Sequence, residues 1–103
     1  MSGIHWEDAE QLAIQYPETF TRPGPKRLAA LREGDLAKVC TCNERFWCEI
    51  TAREGVHFTA RVDNELQHTA EHGISLDDIV QFEERHIYQA LLKQENTSEP
   101  TYR

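Results

Sequence analysis

A chain of 103 residues and 12.0 kDa makes one domain, at a size where a single core forms without staples. Hydrophobic residues at 39%, with two Trp, three Tyr and four Phe, exclude wholesale disorder. Eighteen Asp and Glu against eleven Lys and Arg leave a formal charge of −7. That balance argues against a direct nucleic-acid binder, because phosphate-backbone affinity comes from Lys and Arg releasing counterions; a protein partner is expected instead. No basic region followed by an apolar run opens the chain, and no stretch reaches the roughly eighteen apolar residues of a membrane span. Three cysteines cannot all pair. The expectation is a cytoplasmic protein with reduced thiols and no membrane partner.

Residues 6–16 predict a helix, with Trp6, Ala9, Ala13 and Tyr16 at spacings of three and four and acids Glu7, Asp8 and Glu10 in the first turn. Pro17 stops it. Residues 17–25 carry three prolines and a glycine and read as an extended arm anchored by Phe20. Pro25 opens a short helix through Arg32, burying Leu28 and Leu31, with Gly34 as its left-handed stop. From Asp35 the period becomes two. Leu36 to Cys42 and Phe46 to Ala52 form a hairpin turning at Asn43-Glu44. A turn at Glu54-Gly55 leads into Val56 to Val62, and Asp63-Asn64 turns again. Leu66 to Ala70 reads as a weaker strand, followed by a loop at His72-Gly73. Ile74 to Phe82 is a last strand that bends at Ser75 and Asp77-Asp78. Residues 83–93 give an edge strand near His86 to Tyr88 and then a helical or fraying end, and 94–103 read as a flexible tail. The fold class expected is α+β. An N-terminal helix and Pro-rich arm (1–24) and a short helix (25–34) pack on a strongly curved, barrel-like antiparallel sheet of about five strands (35–93).

Gly34-Asp35 with Lys38, Glu44-Arg45-Phe46-Trp47, Val62-Asp63-Asn64, His72-Gly73-Ile74 with Asp77-Asp78-Ile79-Val80 and Phe82, and Arg85-His86-Ile87-Tyr88 make a recognisable set. With the leader Tyr16 to Phe20, this pattern over residues 9–88 resembles a family of small bacterial proteins known only as domains of unknown function, often met as accessory genes. The resemblance implies a compact α+β domain with a curved sheet and no catalytic residues to carry over. The family's second Gly-Asp, before the last strand, stands here as Leu76-Asp77-Asp78 without glycine.

Three constellations could carry function. Phe46 and Trp47 must point to opposite sheet faces, so one is core. The other, beside Arg45 and near His86 and Tyr88, makes an aromatic-plus-arginine binding surface unless the helix and arm cover it. Asp77, Asp78, Glu83 and Glu84 form an acidic strip that is either an ordinary solvated rim or a mimic of a phosphate backbone, as in an acidic inhibitor from a mobile element. Cys40, Cys42, Cys48 and His57 have the residue types of a zinc site, but Cys-x-Cys is tighter than the usual knuckle, and buried or idle thiols are the favoured reading. His68 and His72 read as solvated loop residues. No phosphate loop, serine elbow or zinc-protease motif is present. The leading expectation is a non-enzymatic protein-binding or adaptor domain without a cofactor, with the acidic mimic and a zinc-stabilised module as alternatives.

Overall fold

The computed structural model describes residues 4–93, which form an α+β fold. The elements are α1 (Ala9–Gln15), α2 (Pro25–Ala30), β1 (Leu36–Thr41), β2 (Glu44–Glu54), β3 (His57–Val62), α3 (Thr69–His72), β4 (Ile79–Glu83), a 3₁₀ turn (Glu84–His86) and β5 (Gln89–Leu91). The five strands make one antiparallel sheet in the order β4-β3-β2-β1-β5. The expected tail at 94–103 lies outside the described residues.

Two hairpin turns set the register. Thr41 pairs with Glu44, so the β1–β2 turn is Cys42-Asn43, one residue earlier than Asn43-Glu44. Both turn residues take positive φ (51° and 63°), the requirement of a two-residue turn that follows the strand twist. Gly55 at φ 64° opens the β2–β3 turn, which is Gly55-Val56, one residue later than the expected Glu54-Gly55, because Glu54 still pairs with His57. Between Ile50 and Ala52 the β2–β3 register slips by one, leaving Thr51 as a bulge that bends β2.

The bend matters because β4 and β5 lie at opposite edges yet follow each other in sequence. Laid flat, five strands would set those edges about 19 Å apart. The link from Glu83 to Gln89, half of it a 3₁₀ turn, reaches only about 16 Å. The sheet therefore curls, without closing into a barrel. The N-terminal segment occupies the seam: Glu7 N donates to Cys40 O on β1, Thr41 Oγ1 donates to His5 O, and Trp6 Nε1 donates to Gln81 O on β4. Trp6 is thus a core plug between Phe46 and Phe82, both 5.9 Å away, and lies before the helix rather than in it. α1 starts three residues after Trp6 because the Asp8 carboxylate caps it, accepting from Gln11 N.

The concave face holds Val39, Phe46, Cys48, Ile50, Phe58, Val62, Val80 and Phe82, closed at one end by Leu28 and Leu31 of the α2 region. Outside the sheet, α1 lays Ala9 and Leu12 over Cys40 and Tyr88, with Phe20 of the arm beside them. Tyr16, expected on the buried stripe of the helix, is exposed. Gly34 has φ 93°, but it turns the chain into β1 four residues after α2 ends, instead of stopping the helix.

Three expected strands differ. Leu66–Ala70 is not a strand. The Glu44 carboxylate accepts from Gln67 N (2.6 Å) and His68 N (2.8 Å), which removes the donors a strand would pair, and residues 69–72 wind into α3 with Gly73 as its left-handed cap. Ile74 to Asp78 forms the approach to β4, with Asp77 at φ 72° in the place where the resembled family has glycine. The edge strand moves from 86–88 to Gln89–Leu91, because Glu83 and His86 cap each other across a 3₁₀ turn. That reciprocal pair was invisible to strand propensity.

Candidate functional site

The convex face of the β1–β2 hairpin is where the sequence placed its binding residues. Pairing sets Lys38 opposite Trp47 and Cys40 opposite Arg45, all on the face away from the core. Phe46 is the core member of the aromatic pair, and Trp47 is the half-buried outer one. The Lys38 ammonium lies 5.0 Å from the Trp47 ring centre and the Arg45 guanidinium 4.9 Å from that of Tyr88. Trp47 is fixed from behind: Asn64 Oδ1 accepts from its N–H and Asp63 N–H donates to its carbonyl. The Asp63-Asn64 turn therefore holds the aromatic instead of starting a hairpin.

Tyr88 is buried, edge-on to Phe20 at 5.2 Å, and its hydroxyl donates to Glu7. Burial, with Cys40 and Glu7 beside it, pushes the Tyr88 phenol up. It is a floor for Arg45 and not an exposed contact residue. His86 does not join this surface. It faces the other side of the 3₁₀ turn, lining depressions of about 870 Å³ and 730 Å³ shared with Trp6 and Glu83. Beside Trp47, a groove of about 360 Å³ runs between the arm at Thr21–Pro23 and β5 at Gln89–Leu91. It adjoins a smaller depression of about 250 Å³ between Phe20, Lys38, Arg45 and Tyr88.

The cations differ in how they are paired. Arg53 bonds Glu84, Arg85 bonds Asp8, and Arg61 gathers Glu49, Asp63 and Asp77. Lys38, Arg45 and Arg22, like Lys26 and Arg32 in the α2 region, have no carboxylate in salt-bridge range among the described residues, and the first three gather around Trp47 and its groove. Arg22 spends its donors on the carbonyls of Glu84 and Ile87, keeping its charge uncompensated beside the groove. Sequence reasoning missed Lys38 and Arg22. A turn at 43–44 would have set Cys40 opposite Trp47, and moving it by one residue brings Lys38 there instead.

The acidic strip is largely engaged within the fold. Asp77 pairs with Arg61, Glu84 with Arg53, Asp78 accepts from Ser75 N, and Glu83 caps the 3₁₀ turn. The four metal candidates are not brought together. Cys40 lies on the convex face, Cys48 in the core, Cys42 in the exposed turn and His57 at the far end of β3. Among the described residues no group of His, Cys, Asp and Glu has the arrangement of a metal site. Burial pushes the Cys48 thiol up to about 12 and also raises that of Cys40, helped there by Glu7, so neither is an activated nucleophile. His72, expected in solvent, has a side chain 1% exposed. Its Nδ1 accepts from Ile74 N, which leaves the Nε2 hydrogen for Glu44 at 2.9 Å.

No family model, curated protein or solved structure matches this chain at a significant level. Among the described residues no helix is long and apolar enough to cross a membrane.

Proposed function

We propose that this chain is a small non-enzymatic binding or adaptor module that engages a protein partner through Trp47 and the cations beside it. The observation that carries this reading is a half-buried tryptophan on a convex sheet face, braced from behind by Asn64 and flanked by Lys38 and Arg45, which have no carboxylate partner among the described residues. Rigid aromatics next to arginine are the commonest energetic centres of protein interfaces. Unpaired thiols at Cys40, Cys42 and Cys48 fit a cytoplasmic setting.

The test is a tagged pull-down from bacterial lysate with the wild type, Trp47→Ala and Phe46→Ala, each with its melting temperature. A partner kept by the wild type and lost by Trp47→Ala, at a nearly unchanged melting temperature, supports the surface. Phe46→Ala should melt far lower, since emptying a buried Phe site costs about 3–5 kcal/mol. Equal capture by wild type and Trp47→Ala sinks the reading.

A further inference from the structure

Resting on that reading, we infer that the partner presents a short, extended, acidic peptide segment. It carries carboxylates at alternating positions i and i+2, followed by an apolar side chain at i+4.

The recognition mode follows from what the fold has closed. A strand-adding peptide needs a free sheet edge. At β5, Arg27 Nε donates to Ala90 O while Arg22 donates to the carbonyls of Ile87 and Glu84. At β4, Gln81 O is taken by Trp6, and Glu83 N by His86. Both edges are blunted by side chains, which leaves recognition to the convex face.

On that face Lys38 and Arg45 are diagonal neighbours across the β1–β2 ladder, a separation of roughly 7–8 Å. Same-side residues of an extended peptide are about 6.6–7 Å apart. Two carboxylates at i and i+2 therefore match the two cations. The next same-side position reaches the groove beside Trp47, whose walls include Pro23, Ala90 and Leu91.

Charge also limits the length of the occupant. On the other flank of Trp47, one guanidinium, Arg61, faces the three carboxylates of Glu49, Asp63 and Asp77, leaving that side net negative. A long polyanion such as single-stranded nucleic acid would run from the cations onto this acidic ground and onto a chain of net charge −7. A segment with two carboxylates stops short of it.

The experiment is selection of a displayed random dodecapeptide library on the immobilised full chain, followed by titration of synthetic hits and of a dT oligomer. Enriched peptides should carry Asp or Glu at i and i+2. Lys38→Gln and Arg45→Gln should each weaken a hit about fivefold, and added salt should weaken it further. Replacing both peptide acids by their amides should cost at least about tenfold. Enrichment of uncharged peptides that still require Trp47 would overturn the acidic inference while leaving the surface standing. Tight dT binding that depends on Lys38 and Arg45 would overturn it in favour of nucleic acid. Hits indifferent to Trp47→Ala, or no enrichment, would overturn both.

Discussion

Replacing Glu44 by Ala should loosen the whole connection from β3 to β4. Its carboxylate accepts three hydrogen bonds, from Gln67 N, His68 N and His72 Nε2, at 2.6, 2.8 and 2.9 Å. Burial alone would raise the Glu44 carboxyl, but these donors outweigh it and hold the group below its usual range. In Glu44→Ala the amides of Gln67 and His68 lie near enough to the surface to find water, at a cost of about 0.5–1 kcal/mol each. The His72 N–H is sealed, and an unsatisfied buried donor costs about 1–3 kcal/mol. The sum, about 2–5 kcal/mol, corresponds to a fall in melting temperature of roughly 8–40 °C in a domain of this size. Amide exchange should accelerate first at Gln67 and His68. In a His72→Phe background the same change should cost about 1–3 kcal/mol less, since the sealed donor is gone. A loss below about 0.5 kcal/mol, or strict additivity of the two changes, would show that the carboxylate is not what anchors this segment.

The other predictions use the same measurement. Arg53 donates to the carbonyls of Leu28, Ala29, Leu31 and Gly55 and to Glu84, and lies 4.5 Å over the Phe58 ring. Arg53→Lys, which keeps the charge but loses the planar fork, should destabilise by about 1–3 kcal/mol in urea melts, and full retention would refute the role. Cys42→Asn should stabilise by about 0.5 kcal/mol, because Asn tolerates the φ of 51° better than Cys; a lower midpoint would count against the turn assignment. Acid should destabilise through His86 and Glu44, and at lower pH through Asp8, whose carboxyl burial would raise but the Gln11 amide and Arg85 hold below its usual range. Burial lowers the His86 pKa, so the unfolded chain takes up its proton first, and stability held above about pH 6.5 is lost as pH falls through the folded value. Glu44, also lowered, adds a loss below about pH 4.5. His86→Gln should flatten the upper part of a melting-temperature profile between pH 5 and 7, and an unchanged slope there would refute it.

What the sequence revealed depended on how local the cause was. The two-residue periods of Leu36–Cys42, Phe46–Ala52 and Val56–Val62 are local, and all three strands are present. Pro25 at the start of α2 and Gly55 in its turn are local too. The β1–β2 turn moved by one residue because Cys42 adopts a conformation that its side chain does not advertise, and with it went the cross-strand partner of Trp47. The missing strand at 66–70 was displaced by a carboxylate more than twenty residues away, which no window of sequence contains. The same holds for His72: as sequence it is a polar residue before a glycine, and only the fold brings Glu44 to it. The segments that suggested a family resemblance have mostly architectural jobs here. Glu44 and His72 bond each other, Asn64 holds Trp47, Gly73 caps α3, and His86 closes the 3₁₀ turn.

This division gives the Trp47 face its significance. A small curled sheet has two edges and two faces to protect and little chain with which to do it. Side chains from the first third of the chain cover much of that exposure: Trp6 and Arg27 reach the two edges, Arg22 the carbonyls around the 3₁₀ turn, and Ala9, Leu12 and Phe20 the convex face over Cys40 and Tyr88. The cover stops one ladder step short of Trp47, although Pro23 lines the neighbouring groove and Phe20 the depression that adjoins it. A tryptophan left half open there is not needed for the core, which Phe46 fills from the other face. Yet its backbone is gripped by Asn64 and Asp63, which fixes the point from which the ring leaves the sheet, and Lys38 lies over the ring. Ordering an exposed ring adds little to folding stability, but it removes entropy that a partner would otherwise have to overcome. If that is its purpose, Asn64→Ala should weaken partner binding several-fold more than it lowers stability, by freeing Trp47 without touching its ring. Equal losses would mean that Asn64 serves only the fold.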